Sequence, residues 1–364
     1  MSLRGALVAL VIAAFFKWIW PLFWWTPLDE ALWKELTEGE KATALGQWRL
    51  AFVQALAAVG ALIALSYTAR TYALSRRGQF TERFAKALER LASDDELYLR
   101  IGGIHALEHV SFDSAAHHDN VVEVLTDFIF SRTSEREGCI RWSITWAPRL
   151  VSRQKIASDV QAALTALGRR RRPRRNMLDF KGFDLRDADL TSLNLKRADL
   201  SAAVLRRSFL TRAQLQRSSL VRAELHYARL SEARLSWANL TEARLPRASL
   251  IKARMRWARL SEAHLQRANL THARLEFAQL SDSQLDHADL TKARMHFADI
   301  RGAQLQNSGL SGARLTFADL RGANLSDATG VTASQLRWAR VDHRTTLPTH
   351  LIWDGLYWTT VRDR

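Results

Sequence analysis

From Phe180 to about Ala328 an apolar residue returns at every fifth position. Leu185, Leu190, Leu195 and Leu200 begin the series and Leu310, Leu315, Leu320 and Leu325 end it, with Met255, Met295 and Ile300 the departures between them. Two positions before each stands a small residue, nearly always alanine, as at Ala188, Ala223, Ala233, Ala263 and Ala313. A period of five suits neither regular element. On an α-helix each step of five turns the side chain by about 140°, which spreads the leucines around the whole cylinder; on a flat strand an odd step sends successive leucines to opposite faces. The chain must therefore turn a corner once per unit. Every leucine and alanine then points at one axis, four units close a roughly square coil, and coils stack at the strand spacing of about 4.8 Å. The spacing predicts a β-solenoid with a leucine interior, and the absence of a heptad excludes a coiled coil.

Within this series the triplet Ala-Asp-Leu occurs at 188–190, 198–200, 288–290 and 318–320, and Ala-Asn-Leu at 238–240, 268–270 and 323–325. These residues resemble the consensus of the pentapeptide-repeat family. The resemblance implies a right-handed four-sided β-helix for residues 179–328; the handedness comes from the resemblance and not from the spacing.

The 364 residues exceed one ordinary domain, and 47% apolar content allows a buried core and a membrane segment besides. Ala6 to Trp25 is an apolar run close to the length that spans a bilayer, broken by Lys17 and Pro21 and heavy in aromatics. No small-residue cleavage site follows it, which argues against a secretory signal. Leu50 to Thr68 is a second run, with a small-residue face at Ala55, Ala58, Gly60 and Ala61. Arg4 precedes the first run and Arg70, Arg76 and Arg77 follow the second. The positive-inside rule then predicts a two-helix transmembrane hairpin within residues 1–77, with helices about 6–25 and 50–68, both termini cytoplasmic and the acidic segment Thr26 to Trp48 outside. The expected location is the inner membrane, with the repeats in the cytoplasm.

Residues 78–132 change to helical spacing, with Phe80, Phe84, Leu88 and Leu91 on one helix, Leu97 to Val110 on a second and Val121 to Ile129 on a third. They predict a small all-α segment, similar to the HEAT-like segment between anchor and repeats in bacterial membrane-bound members of the family, with Gly102 and Gly103 permitting close helix approach. His105 to His109 spells H-x-x-E-H, an inverted zinc-protease signature, but no downstream carboxylate ligand accompanies it. No metal or other cofactor is expected. Residues 133–178 are read as a helix from Ile156 to Leu167 and a basic linker at 169–175, and residues 329–364 as the cap that a solenoid needs over its last coil. The single cysteine, Cys139, excludes an internal disulfide.

Because four units make one coil, residues 20 apart stack on one side. Sorted this way, Arg234, Arg254, Arg274, Arg294 and Arg314 form one outward column, and Trp237, Trp257, Phe277, Phe297 and Phe317 form another. Duplication of a 20-residue block would produce both columns without any selection for binding. If they are functional, they are the binding surface, the arginines stacking on the rings. The chain carries a formal net charge of +16 and its repeat segment is net positive, so mimicry of DNA is not expected. No phosphate loop, nucleophile elbow or pocketed carboxylate pair is present, and a filled solenoid leaves no room for catalysis. The expected function is a non-catalytic, membrane-anchored scaffold for an unidentified cytoplasmic protein partner. The competing expectation is a nucleic-acid- or topoisomerase-associated protein held at the membrane.

Overall fold

The computed structural model describes residues 37–93, 96–113, 118–143, 156–169, 178–349, 351–353 and 358–360. The first predicted membrane helix, the first half of the acidic segment after it and the basic run beyond Arg169 lie outside the described residues. The chain forms two units, residues 1–81 and 82–364.

The described part of the first unit is helix α1, Glu38–Leu91, which continues into the second unit. It begins where the Thr37 amide and hydroxyl both donate to the Glu40 carboxylate, at 2.9 and 2.7 Å. The expectation of an outer loop up to Trp48 and a helix confined to about 50–68 is therefore corrected: one helix runs through both limits. The reason is local. Between 38 and 91 there is no proline, and an isolated glycine costs a helix only about 1 kcal/mol relative to alanine. The stretch Glu38–Tyr72 is long and apolar enough to cross a membrane, and none of its most apolar window is buried. It is the one such helix among the described residues, so the predicted two-span hairpin is not seen.

In the second unit the end of α1 packs with α2 (Leu97–Asp113), α3 (His118–Ser143) and α4 (Ser158–Arg169). Ala87, Leu91, Ile104, Leu107, Leu125, Ile129, Val160 and Leu164 fill their core. Gly103 is where α2 meets α1, since a Cβ there would stand 2.8 Å from the Ala87 carbonyl oxygen; a Cβ at Gly102 would meet nothing within 4 Å, so that glycine is not needed for the approach. The sequence boundary at 132 does not survive. Helix α4, read as a helix set apart from the all-α segment, belongs to this core, and its Asp159 carboxylate accepts from Arg100 Nε at 2.8 Å in a nearly buried ion pair.

The solenoid follows from its hydrogen bonds. Isolated parallel bridges join each outward residue to the one 20 positions on, from Asp179↔Asp199 to Gly309↔Thr329, so four five-residue sides make one coil. The leucine amide donates to the coil above (Leu185 to the Val204 carbonyl, 2.8 Å), as does the second corner residue (Asp187 to Arg206, 3.1 Å). The outward residue donates to the coil below (Val204 to Phe183, 2.9 Å), and the alanine closes the corner (Ala188 to Leu185, 3.2 Å). That leaves the amide of the first corner residue. The family's Asp or Asn two positions earlier answers it: Asp189 accepts from the Thr191 amide, Asp199 from Ser201, Asn269 from Thr271 and Asn324 from Ser326, at 2.9 to 3.1 Å. The second corner residue, where it is not glycine, sits at φ between 55° and 64° whatever its side chain, a conformation held by its bond to the next coil. Inside, the leucines and alanines from 195 to 300 are at most 1% exposed. Of the serines standing in alanine places, Ser208, Ser218 and Ser283 turn their hydroxyls back onto the Leu205, Leu215 and Leu280 carbonyls.

Both ends of the solenoid are covered, each with a glutamine as the tie. At the first coil, Gln161 of α4 donates to the Asp189 carbonyl and accepts from its amide, while the Asn194 amide donates to the Gly168 carbonyl. At the last, α5 (Ala333–Leu336) starts in a capping box of Thr332 and Gln335. Gln335 Nε2 donates to the Leu310 and Ala313 carbonyls at 2.8 and 3.0 Å, and Leu336 is buried. A short antiparallel pair, β1 (Leu351–Trp353) and β2 (Trp358–Thr360), follows.

Candidate binding surface

The five arginines stand where the corner rule wants Asp or Asn. Bridges join Arg234, Arg254, Arg274, Arg294 and Arg314 in one ladder, continuing from Gln214 below. Four of the five are exposed; Arg274 is half-buried. A guanidinium is donor only, so it cannot accept from the corner amide two residues on. Five rungs thus give up a hydrogen bond that each Asp- or Asn-bearing side makes, worth about 1 kcal/mol apiece. The bond should be separable by mutation. Asp199→Ala is expected to lose about 1 kcal/mol and Arg294→Asn to gain a similar amount, read as opposite shifts of the urea midpoint at unchanged m-value. If Arg294→Asn stabilises nothing, the corner amide is already satisfied and the ladder carries no such cost.

Three residues after each arginine, the aromatic occupies the left-handed corner, from Trp237 at φ 64° to Phe317 at φ 60°. The rings do not carry the arginines as expected. They stack on one another: Trp237 on Trp257 at 5.1 Å, Trp257 on Phe277 at 4.2 Å, Phe277 on Phe297 at 5.0 Å and Phe297 on Phe317 at 5.0 Å between centroids. Interplanar angles of 1° to 22° make this one continuous stack. The cause is the column: each ring faces the residue 20 positions on, which here is another ring, while the arginines stand in a separate column three residues away. The cation–π contacts described in and beside the solenoid involve other pairs, Arg229 over Phe209, Arg247 over Tyr227 and Arg337 over Trp338. Trp338 tilts onto Phe317 at 6.2 Å and ends the stack. It arrives 21 residues after Phe317, beyond the loss of the five-residue register, so sorting by 20 could not find it.

Basic residues flank the ladder on its other side. A shallow groove of about 520 Å³ is lined by Ser192, Arg212, Gln214, Glu232, Arg234, Lys252 and Arg254. Its one carboxylate is engaged: Glu232 accepts from Arg212 Nε at 2.8 Å, and that hydrogen bond and charge hold its carboxyl below the usual range. Lys252 and Lys292 stand 40 apart, two coils, beside the ladder with His272 on the coil between them, a column the sequence offered and the sorting passed over. Between ladder and rings lies one acidic side chain, Glu276, nearly buried, 3.3 Å from Arg274 Nε and 4.0 Å from Arg256 Nε. On the helical segment, the H-x-x-E-H residues lie along α2 with His105 Nδ1 3.4 Å from Glu108. No group of three histidine, cysteine or acidic residues that could hold a metal occurs among the described residues.

The family profile described as pentapeptide repeats matches eight copies between residues 179 and 329. No curated protein matches the chain significantly. Solved structures do. One is a pentapeptide-repeat protein, HetL, involved in heterocyst differentiation regulation in the cyanobacterium Nostoc sp. strain PCC 7120, at 30% identity over 48% of this chain and 86% of that one, with a TM-score of 0.34. Another is a pentapeptide-repeat protein of the cyanobacterium Cyanothece 51142, at 35% identity over 26% of this chain and 63% of that one, TM-score 0.24. A third is QnrB1, a plasmid-mediated fluoroquinolone resistance protein, at 17% identity over 46% and 86%, TM-score 0.29.

Proposed function

We propose that this pentapeptide-repeat protein is a non-catalytic scaffold, held at a membrane by the apolar part of α1, that binds an acidic protein partner along its arginine and aromatic columns. The observation that carries the proposal is the coincidence on one side of five stacked arginines and an unbroken ring stack. The arginines are placed against local preference, since each forfeits the corner hydrogen bond; the rings stand at a positive φ that the second corner residue takes throughout the solenoid. Sites that break local rules five times in register are where a function is expected. The filled interior supports the absence of catalysis. The inner-membrane location, right-handed coil and cytoplasmic repeats remain part of this proposal.

The binding side is tested by replacing Arg254, Arg274 and Arg294 with serine. Partner capture by cross-linking should be abolished with the solenoid still folded, while changing Glu242, Glu262 and Asp282 on another corner should do little. Equal retention by both triple variants would make the columns a by-product of duplication. Binding to duplex DNA that falls steeply with salt, from a useful low-salt affinity, would favour a nucleic-acid partner instead.

The membrane topology is tested with cysteines at Ser2 and Thr37 after removal of Cys139. An impermeant thiol reagent applied to intact cells should label position 37 and spare position 2. Labelling at position 2 overturns the cytoplasmic N-terminus.

A further inference from the structure

We infer that the partner segment is an amphipathic α-helix lying parallel to the solenoid axis, with an acidic stripe on the arginine ladder and an apolar stripe on the ring stack. This rests on the binding side proposed above and names what fits it.

The spacing selects the helix. Rungs of the ladder repeat at about 4.8 Å, so five arginines span roughly 19 Å. Side chains on one face of an α-helix return once per turn, about 5.4 Å, so five of them span roughly 22 Å. The mismatch accumulates to about 2 to 3 Å over the whole ladder, within the reach of flexible arginine side chains. An extended segment repeats its same-face side chains at about 6.6 to 6.8 Å and would drift by about 8 Å over the same five contacts. The width agrees too. Arg254 and Trp257 are three residues apart, so the columns are separated by at most about 10 Å, comparable with the 10 to 12 Å diameter of a helix with its side chains.

The chemistry of the two columns sets the stripes. The guanidinium groups of the exposed rungs match carboxylates. The rings present apolar edges, because their faces are covered by neighbours at 4.2 to 5.1 Å. Covered faces disfavour single-stranded nucleic acid, whose tight binding depends on bases stacking on free aromatic faces. Along the described coils pairing by strand addition has no place to occur, since their sides are already bridged and both ends are covered. Glu276, enclosed between Arg256 and Arg274, occupies the place on the solenoid that a partner carboxylate would take on the other rungs.

The test uses the full chain in detergent and three labelled probes followed by fluorescence anisotropy. The first is a 21-residue helical peptide with glutamates on one stripe and leucines on the adjoining one; the second has the same composition with the glutamates scattered around the helix; the third is a 20-nucleotide oligodeoxythymidine. The striped peptide should bind at least tenfold more tightly than the scattered one. Charge reversal at Arg254→Glu with Arg294→Glu should remove that preference, and Phe297→Asn, which keeps a residue tolerant of positive φ, should weaken the striped peptide several-fold. Equal binding of the two peptides, both lost on charge reversal, overturns the helix and leaves the basic binding side standing. A nucleotide probe that binds more tightly than the striped peptide overturns it in favour of nucleic acid. Charge reversal without effect on any probe overturns the binding side as well.

Discussion

Leu265→Asp is expected to unfold the solenoid around its coil, while Gln266→Asp, one residue away, leaves the melting temperature within a few degrees of the parent. Leu265 is fully buried among leucines and alanines, and Gln266 is half-buried at the corner with its side chain bonded to Gln284. Burying a leucine contributes about 1.5 to 3 kcal/mol, and truncating one in a core costs about 2 to 5 kcal/mol. Aspartate adds the cost of an unpaired buried charge, several kcal/mol more unless it protonates. The sum approaches the 5 to 15 kcal/mol that holds a typical domain together. Circular dichroism melts of the two variants measure it, and equal melting would mean that the inward assignment is wrong.

Truncation after Thr329 is expected to give an aggregating protein. The segment removed carries Leu336, buried over the last coil, and Gln335, whose amide ties down the Leu310 and Ala313 carbonyls. It also carries the acceptors for three ladder amides: Phe317 donates to the Trp338 carbonyl, Leu320 to Arg340 and Leu325 to Thr346. Without it a ring of leucines faces water at a cost of roughly 1.5 to 3 kcal/mol each, beside unpaired backbone groups that can accept a second solenoid end to end. Size-exclusion chromatography of freshly refolded protein reads the outcome. A soluble, monomeric truncation with the parent's melting temperature would show that the segment is not a cap.

The solenoid was legible in the sequence because its determinants are local: a corner every five residues, a leucine inside, and a period of 20 that brings like residues together. The columns were legible for the same reason, as lists of residues. How they behave was not. The rings stack on each other and not under arginines because each faces the ring 20 positions on while the arginines keep to their own column, a choice of partner that residue types do not state. The longest departures concern contacts far apart in the chain. Hydropathy marked 50–68 within α1 but could not tell a helix that stops from one that continues through polar residues to Leu91. Helix α4 was found within two residues of its ends, yet its place as the first coil's cap depends on Gln161 meeting Asp189, 28 positions away.

The ladder of identical coils also bears on how such a surface changes over generations. Since a coil touches only the coils above and below it, inserting 20 residues in register adds one rung and one ring without disturbing the cross-section. Reach therefore grows in fixed steps of about 4.8 Å, and with it the number of simultaneous contacts a rigid ligand can make. A protein built like this works as a graduated rule: selection can lengthen or shorten its grip by whole marks while the interior that keeps it folded is copied unchanged.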